Sequence, residues 1–252
     1  MESFRTVEGA APRMRDLAGL VWMRYRAPVP CHVAGGRAAD DRVMTIAWVR
    51  DVPRVVFLEL ERNAMPKFPK LGDTATVPDI LKMSPAAGAT LMELHEQIMR
   101  MSSPLSAGER ELIAAYVSGL NQCRYCHGVH SETAKAYGIS GDAVDGMLDD
   151  LDMAGIDDKM KPILRVAKTL TLAPASLTNV ETQAVYDAGW DEQALHDTIM
   201  VVCCFNFMNR MLEGHGVHGH EAMYKERGPM LKEHGYLPFV KLLRRRSETA
   251  AE

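Results

Sequence analysis

The sequence is short of several things, and each shortage removes a class of function. No apolar run approaches the ~20 residues that a membrane-spanning helix needs. The N-terminus lacks a compact apolar core with a small-residue cleavage site, so no secretory leader is expected and the expected compartment is cytoplasmic. Neither sign of charge dominates. The 29 Lys and Arg against 33 Asp and Glu leave a net charge of −4, which gives no general field for a polyanion. The dense basic run Arg244-Arg245-Arg246 reads as a solvated helix end. No Gly-rich phosphate loop, haem motif, flavin motif or internal repeat stands out. The expectation is therefore no cofactor, no nucleic acid and no membrane partner. Cysteine is scarce too, with five in 252 residues. In a reducing compartment a close cysteine pair is redox-active or metal-binding rather than a structural staple.

What is present divides into two textures. Residues 1–75 carry many arginines, scattered prolines and a short strand-like run over 54–60. They read as an irregular extension with one strand or hairpin, of no assigned function. Met65, just before Pro66-Lys67-Phe68-Pro69, is a candidate natural start. From about Val77 onward the chain is a succession of helices, so 76–252 is expected to be an all-α domain with a C-terminal tail.

Pro85 can open a helix with an apolar face through Leu91, Met92, His95, Ile98 and Met99. Ser106-Ala107-Gly108-Glu109 is a capping box, and the helix behind it shows Leu112, Ile113, Tyr116, Val117 and Leu120. Asn121-Gln122 interrupts. A helix then starts at Cys123 and stops at Gly138, which suits a left-handed cap. Further helices are expected from Ser140 through Leu151, over 157–171 and over 178–188. A long one from Asp191 to about Glu213 is apolar nearly all round its centre, so it should be buried on most sides. A Gly- and His-rich turn, a tail with Gly228-Pro229 and a short helix over 237–246 complete the chain.

The chemistry concentrates in Cys123-Arg124-Tyr125-Cys126, with His127 next, His130 four residues past Cys126, and Glu111 twelve before Cys123. Three- and four-residue spacings put Cys123, Cys126 and His130 on one helix face. Amides at a helix start favour a thiolate. His130 can move a proton near neutral pH. Glu111, set among Leu112, Ile113 and Tyr116, needs a partner or a proton. Such a set supports peroxide attack by one thiolate, condensation with the second cysteine to a disulfide, and restoration by an external dithiol. Cys203 and Cys204 read as small core residues, and Asn206 and Asn209 as ties between helices. His95 and His196 read as ordinary half-buried histidines.

The pattern of Glu111, eleven residues, Cys123, two residues, Cys126, three residues and His130 resembles the AhpD-like alkylhydroperoxidase branch of the carboxymuconolactone decarboxylase family. Ser103-Pro104-Leu105-Ser106 and Phe205-Asn206-Phe207-Met208-Asn209-Arg210 resemble its peroxidase-related subgroup. The resemblance covers roughly residues 66–240. It implies an AhpD-like helical bundle, homo-oligomers and an antioxidant cysteine peroxidase. It also implies a small hydroperoxide substrate and a dithiol, thioredoxin-like or lipoyl reductant. Cys126 would attack the peroxide, Cys123 would resolve, and Glu111 and His130 would relay protons, with no metal. Some members carry a histidine just before the second cysteine. Tyr125 stands there instead, with His127 following, which implies an incomplete or rearranged relay.

Two other readings use the same residues. Cys123 and Cys126 with His127 or His130 could hold zinc if His215, His218 and His220 supplied a second cluster. That would make a structural or regulatory protein. The pair could also serve a disulfide reductase or a non-catalytic redox sensor. Glu111 could instead pair with Arg110 or Arg124 on the surface.

Overall fold

The computed structural model describes residue 68, residues 70–72 and 75–249, and the backbone of 48–49 and 52–53. The strand expected over 54–60, Cys31 and Met65 lie outside the described residues. The chain divides into two compact units, Met1–Asn63 and Ala64–Glu252. In the first, β1 (Trp48–Val49) pairs antiparallel with β2 (Val52–Pro53), Trp48 opposite Pro53.

The second unit is all-α. Among the described residues its α-helices are α1 (Val77–Leu81), α2 (Pro85–Arg100), α3 (Ala107–Leu120), α4 (Arg124–Ala136), α5 (Gly141–Gly146), α6 (Met160–Leu172), α7 (Asn179–Asp187), α8 (Glu192–His215), α9 (Glu221–His234) and α10 (Leu237–Thr249). Among the described residues no helix is long and apolar enough to cross a membrane.

Local chemistry sets most of these boundaries. Ser106 caps α3 by accepting from the Glu109 amide at 3.2 Å, while Glu109 accepts from the Ser106 amide at 2.7 Å. The helix from Cys123 ends as expected, with Tyr137 as its cap and Gly138 left-handed at φ 100°. α5 stops five residues before Leu151. The Asp150 carboxylate accepts from the Asp152 and Met153 amides, which folds that stretch into a turn.

α3 is the enclosed helix. Leu112, Ile113, Ala114, Ala115, Tyr116 and Val117 are all buried, packed between α4 on one side and α6 and α8 on others. α8 is less enclosed than its composition suggests. Val201, Val202, Phe205 and Met208 face the core, while Cys203 and Phe207 are exposed. Cys204 is buried, in keeping with a core role.

The segment expected to be a tail departs most. Residues 221–234 form α9, which runs straight through Gly228 and Pro229. Proline in a helix interior removes one hydrogen bond and crowds the preceding turn. Packing outweighs that local cost here. A Cβ on Gly228 would sit 2.7 Å from the Glu132 carbonyl carbon, so only glycine lets α9 lie this close to α4. α10 then folds back on α2, where Arg244 pairs with Glu93 and Leu243 is buried. The α9–α10 hairpin thus roofs the region where α2, α3, α4 and α8 meet.

Candidate active site

The corner between α3 and α4 sets the cysteines. The Cys123 amide donates to the Ser118 carbonyl at 2.9 Å and the Gln122 amide to the Gly119 carbonyl at 2.9 Å. This is a Schellman cap, but its left-handed residue is Gln122, φ 59°, where glycine is usual. A side chain there costs on the order of 1 kcal/mol, and such strain persists only where the surroundings fix it. Here Asn121 fixes it. Its amide donates to Asn206 Oδ1 at 3.1 Å and to Asn209 Oδ1 at 3.0 Å on α8. Asn209 in turn donates to Ser118 Oγ at 3.0 Å. The two asparagines expected to tie helices together therefore hold the corner that positions the cysteine pair.

Cys123 is the N-cap of α4, and Cys126 lies in its first turn. Both are buried, at 0% and 3% exposure, and both are free thiols. The Cys126 thiol holds Cys123 below its ordinary pKa against burial, while nearby Glu213 works the other way. Cys126 is pushed well above its ordinary value by its hydrogen bond to Cys123, with burial adding to it. Of the two, Cys123 is thus the more readily ionised, and Asn209 eases charge on Cys126.

One α4 turn on, His130 Nδ1 lies 2.5 Å from Glu111 Oε2, and its ring meets Phe205 edge-on at 4.4 Å. Glu111 is fully buried. Its other oxygen accepts from Arg100 Nη2 at 2.6 Å. Burial would raise the Glu111 carboxyl pKa, but His130 and Arg100 together hold it below the usual range. The surface pairing with Arg110 or Arg124 is not what forms. Arg110 donates to the Ile98 carbonyl at 2.9 Å, and the cation for Glu111 comes from the end of α2.

Cys126 and His130 line one cavity of about 310 Å³, whose walls are otherwise mainly apolar: Met92, Val129, Phe205, Met208, Met230 and Phe239. Cys123 is not among its lining residues. The roof comes from α9, α10 and the Gly235-Tyr236 link.

Tyr125, just before the second cysteine, accepts from Arg227 of α9 at 2.9 Å through its hydroxyl. His127 points elsewhere, with Nδ1 2.9 Å from the Ala115 carbonyl. His95 is fully buried, not half-buried, and lines the cavity. Its Nδ1 donates to the Leu91 carbonyl at 2.9 Å, which leaves Nε2 as acceptor 3.3 Å from Cys204 Sγ. Burial pushes its pKa down to about 4.

His215, the last residue of α8, and His220 have local work. His215 stacks on Phe68 at 4.6 Å, and His220 caps α9. Among the described residues no group of three or more His, Cys, Asp or Glu side chains is placed to hold a metal ion.

The relation to known proteins follows the same residues. Residues 85–169 match the carboxymuconolactone decarboxylase family. That stretch takes in Glu111, both cysteines and His130. Two solved structures share the fold at 22% identity. One is an uncharacterized peroxidase-related protein from Silicibacter sp. TM1040, with TM-score 0.56, covering 60% of this chain and 79% of that one. The other is titled as an alkylhydroperoxidase AhpD core, an uncharacterized peroxidase-related protein from Ralstonia eutropha JMP134. Its TM-score is 0.55, covering 59% of this chain and 78% of that one. No curated protein matches the chain. The expected AhpD-like helical architecture is therefore the observed one.

Sequence reasoning reached Glu111, Cys123, Cys126 and His130, and the structure places Glu111 on His130 and Cys126 beside Cys123. It missed Arg100, His95, Arg227, Glu213 and Tyr236. Only for Arg100 was there a signal: a carboxylate expected among apolar neighbours implies a cation somewhere.

Proposed function

We propose that this protein is a thiol-dependent reductase of organic hydroperoxides. One observation carries the reading: Cys126 and His130 face the same apolar cavity, with His130 held by a buried carboxylate and a second cysteine one turn behind. An apolar cavity of about 150 Å³ accepts a benzene-sized molecule, so one of about 310 Å³ suits an alkyl or aryl hydroperoxide.

In this mechanism Cys126 gives its proton to Cys123 along the bond they share. The Cys126 thiolate attacks the terminal peroxide oxygen. A sulfur–oxygen bond forms, the oxygen–oxygen bond breaks, and the electron pair leaves on the inner oxygen. His130, held by Glu111, protonates that oxygen, and an alcohol departs. Cys123 then attacks the Cys126 sulfenic acid, releasing water and forming the disulfide. One thiol, one thiolate, the proton from His130 and one hydroperoxide give one disulfide, one alcohol and one water, and His130 takes its proton back from solvent. An external dithiol restores the pair by exchange. Because both sulfurs lie below the surface, a slender dithiol or a lipoyl-type arm fits better than a thiol fixed on a protein surface. Cys203 and Phe207, exposed one turn apart on α8, support self-association through that face.

The test is consumption of cumene hydroperoxide with dithiothreitol by metal-stripped protein. Cys126→Ser should abolish turnover. Cys123→Ser should stop after one turnover with one oxygen added at Cys126, visible by mass spectrometry. Equal activity in wild type and both variants overturns the mechanism.

A further inference from the structure

The cavity that holds Cys126 and His130 has a mouth of different character from its interior. Cys126, His130 and His95 are buried, whereas the lining residues Glu226, Met230, His234 and Pro238 are exposed. The opening is therefore on the side of α9 and the start of α10. Arg227 lines the cavity there and is half-buried. α9 runs beside α4 in register, with Tyr224 close to Gly128 and Gly228 close to Glu132. That register sets Arg227 opposite the α4 turn that carries His130.

The Arg227 charge is not spent within the fold. Arg100, the other arginine of the site, meets the Glu111 carboxylate. Arg227 instead donates through Nη1 to the Tyr125 hydroxyl at 2.9 Å, and among the described residues no carboxylate pairs with it. Burial raises the Tyr125 pKa against the pull of Arg227, so the phenol stays neutral and does not compensate the charge. A guanidinium carries five donors in a fixed fork. The phenol takes one, and the rest suit a carboxylate, which accepts two parallel bonds. Behind this cation the wall is apolar, and Met92, Met208 and Met230 give it side chains that adapt to a bent, flexible chain.

We propose that Arg227 receives the carboxylate of an amphipathic substrate, so that the preferred hydroperoxides are those of fatty acids. The acyl chain lies in the apolar cavity and its peroxide group meets Cys126. The inference rests on the hydroperoxide-reductase reading and narrows its substrate class. The carboxylate takes no part in the redox step. It holds one end of the substrate at the mouth, and the product is a hydroxy acid.

The experiment compares a hydroperoxide of linoleic acid with its methyl ester, using full-length protein and dithiothreitol, below the concentration at which either lipid aggregates. The two share the peroxide group and differ by one charge. Wild type should favour the acid about tenfold in kcat/KM, the scale of one charge-assisted pair discounted for partial exposure. The gain should sit in KM, since the contact is the same before and during reaction. Arg227→Gln should remove the preference, and Arg227→Lys should keep part of it. Taking the ratio of acid to ester cancels any general effect of a substitution on the site, and the wild-type ratio stands on its own should the glutamine variant not fold. Turnover of both lipids by wild type without preference for the acid, with Cys126→Ser inactive, overturns this inference and leaves the reductase reading standing. A preference undiminished in Arg227→Gln overturns it too, because the charge is then read elsewhere. No turnover of either lipid by wild type overturns both.

Discussion

Replacing Glu111 with glutamine removes one charge from a buried cluster and keeps its size. The carboxylate has 0% exposure, and its two partners are nearly as enclosed: the Arg100 side chain is 11% exposed and that of His130 is 8%. Breaking a buried ion pair costs about 3–5 kcal/mol, because the remaining charge is stranded. Arg100 would keep the Met99 and Leu231 carbonyls and the faces of Tyr137 and Tyr236. The low end therefore applies, about 3 kcal/mol at pH 7.5. The pH dependence has a definite sign. The folded protein holds the Glu111 carboxyl below its ordinary 4.5, so its contribution is complete above that value. It is lost as pH falls through the folded pKa. Urea denaturation at pH 7.5 and at pH 3.5 should show a gap between wild type and variant that narrows on acidification. A gap below about 1 kcal/mol at pH 7.5, or one that ignores pH, would refute the claim that this cluster is a buried ion pair. Peroxide turnover should fall about 100-fold as well, since His130 loses the group that orients it.

Other outcomes follow from single residues. His95 refuses in the fold, with a pKa of about 4 against an ordinary 6.5, the proton that the unfolded chain accepts. Stability should thus drop by about 3 kcal/mol as pH falls from 6.5 to 4. His95→Asn should flatten that slope without abolishing it, because burial also lowers the His127 pKa. An undiminished slope in urea melts would exclude the assignment. Gly228→Ala should cost about 1–3 kcal/mol by forcing α9 away from Glu132. Gly155→Ala, with nothing within 4 Å of the new carbon, is its control. Equal melting temperatures for the two variants would remove the close-approach explanation.

The sequence exposed the cysteine site because its members sit on consecutive helices, where spacing alone sets direction. From Cys123 to Cys126 to His130 the steps are three and four residues, so all three side chains share a face. His127 is one residue past Cys126, about 100° round the helix, and it bonds the Ala115 carbonyl instead of joining the pair. The α9 error came from the opposite circumstance. Gly228-Pro229 is a poor helix interior on local grounds, and what makes it helical is Glu132, nearly a hundred residues earlier.

Helix packing, not distance along the chain, hides the arginine partner of Glu111. A carboxylate between Arg110 and Leu112 on an apolar helix announces that it needs a cation, and Arg110 and Arg124 look sufficient. The fold uses neither for this purpose. It brings Arg100 in from the end of α2 and sets its guanidinium over the Tyr236 ring. One arginine thus pairs with Glu111 and packs on the ring of Tyr236. Sequence spacing can pose the electrostatic demand of such a site, but the residues that meet it are chosen by helix packing.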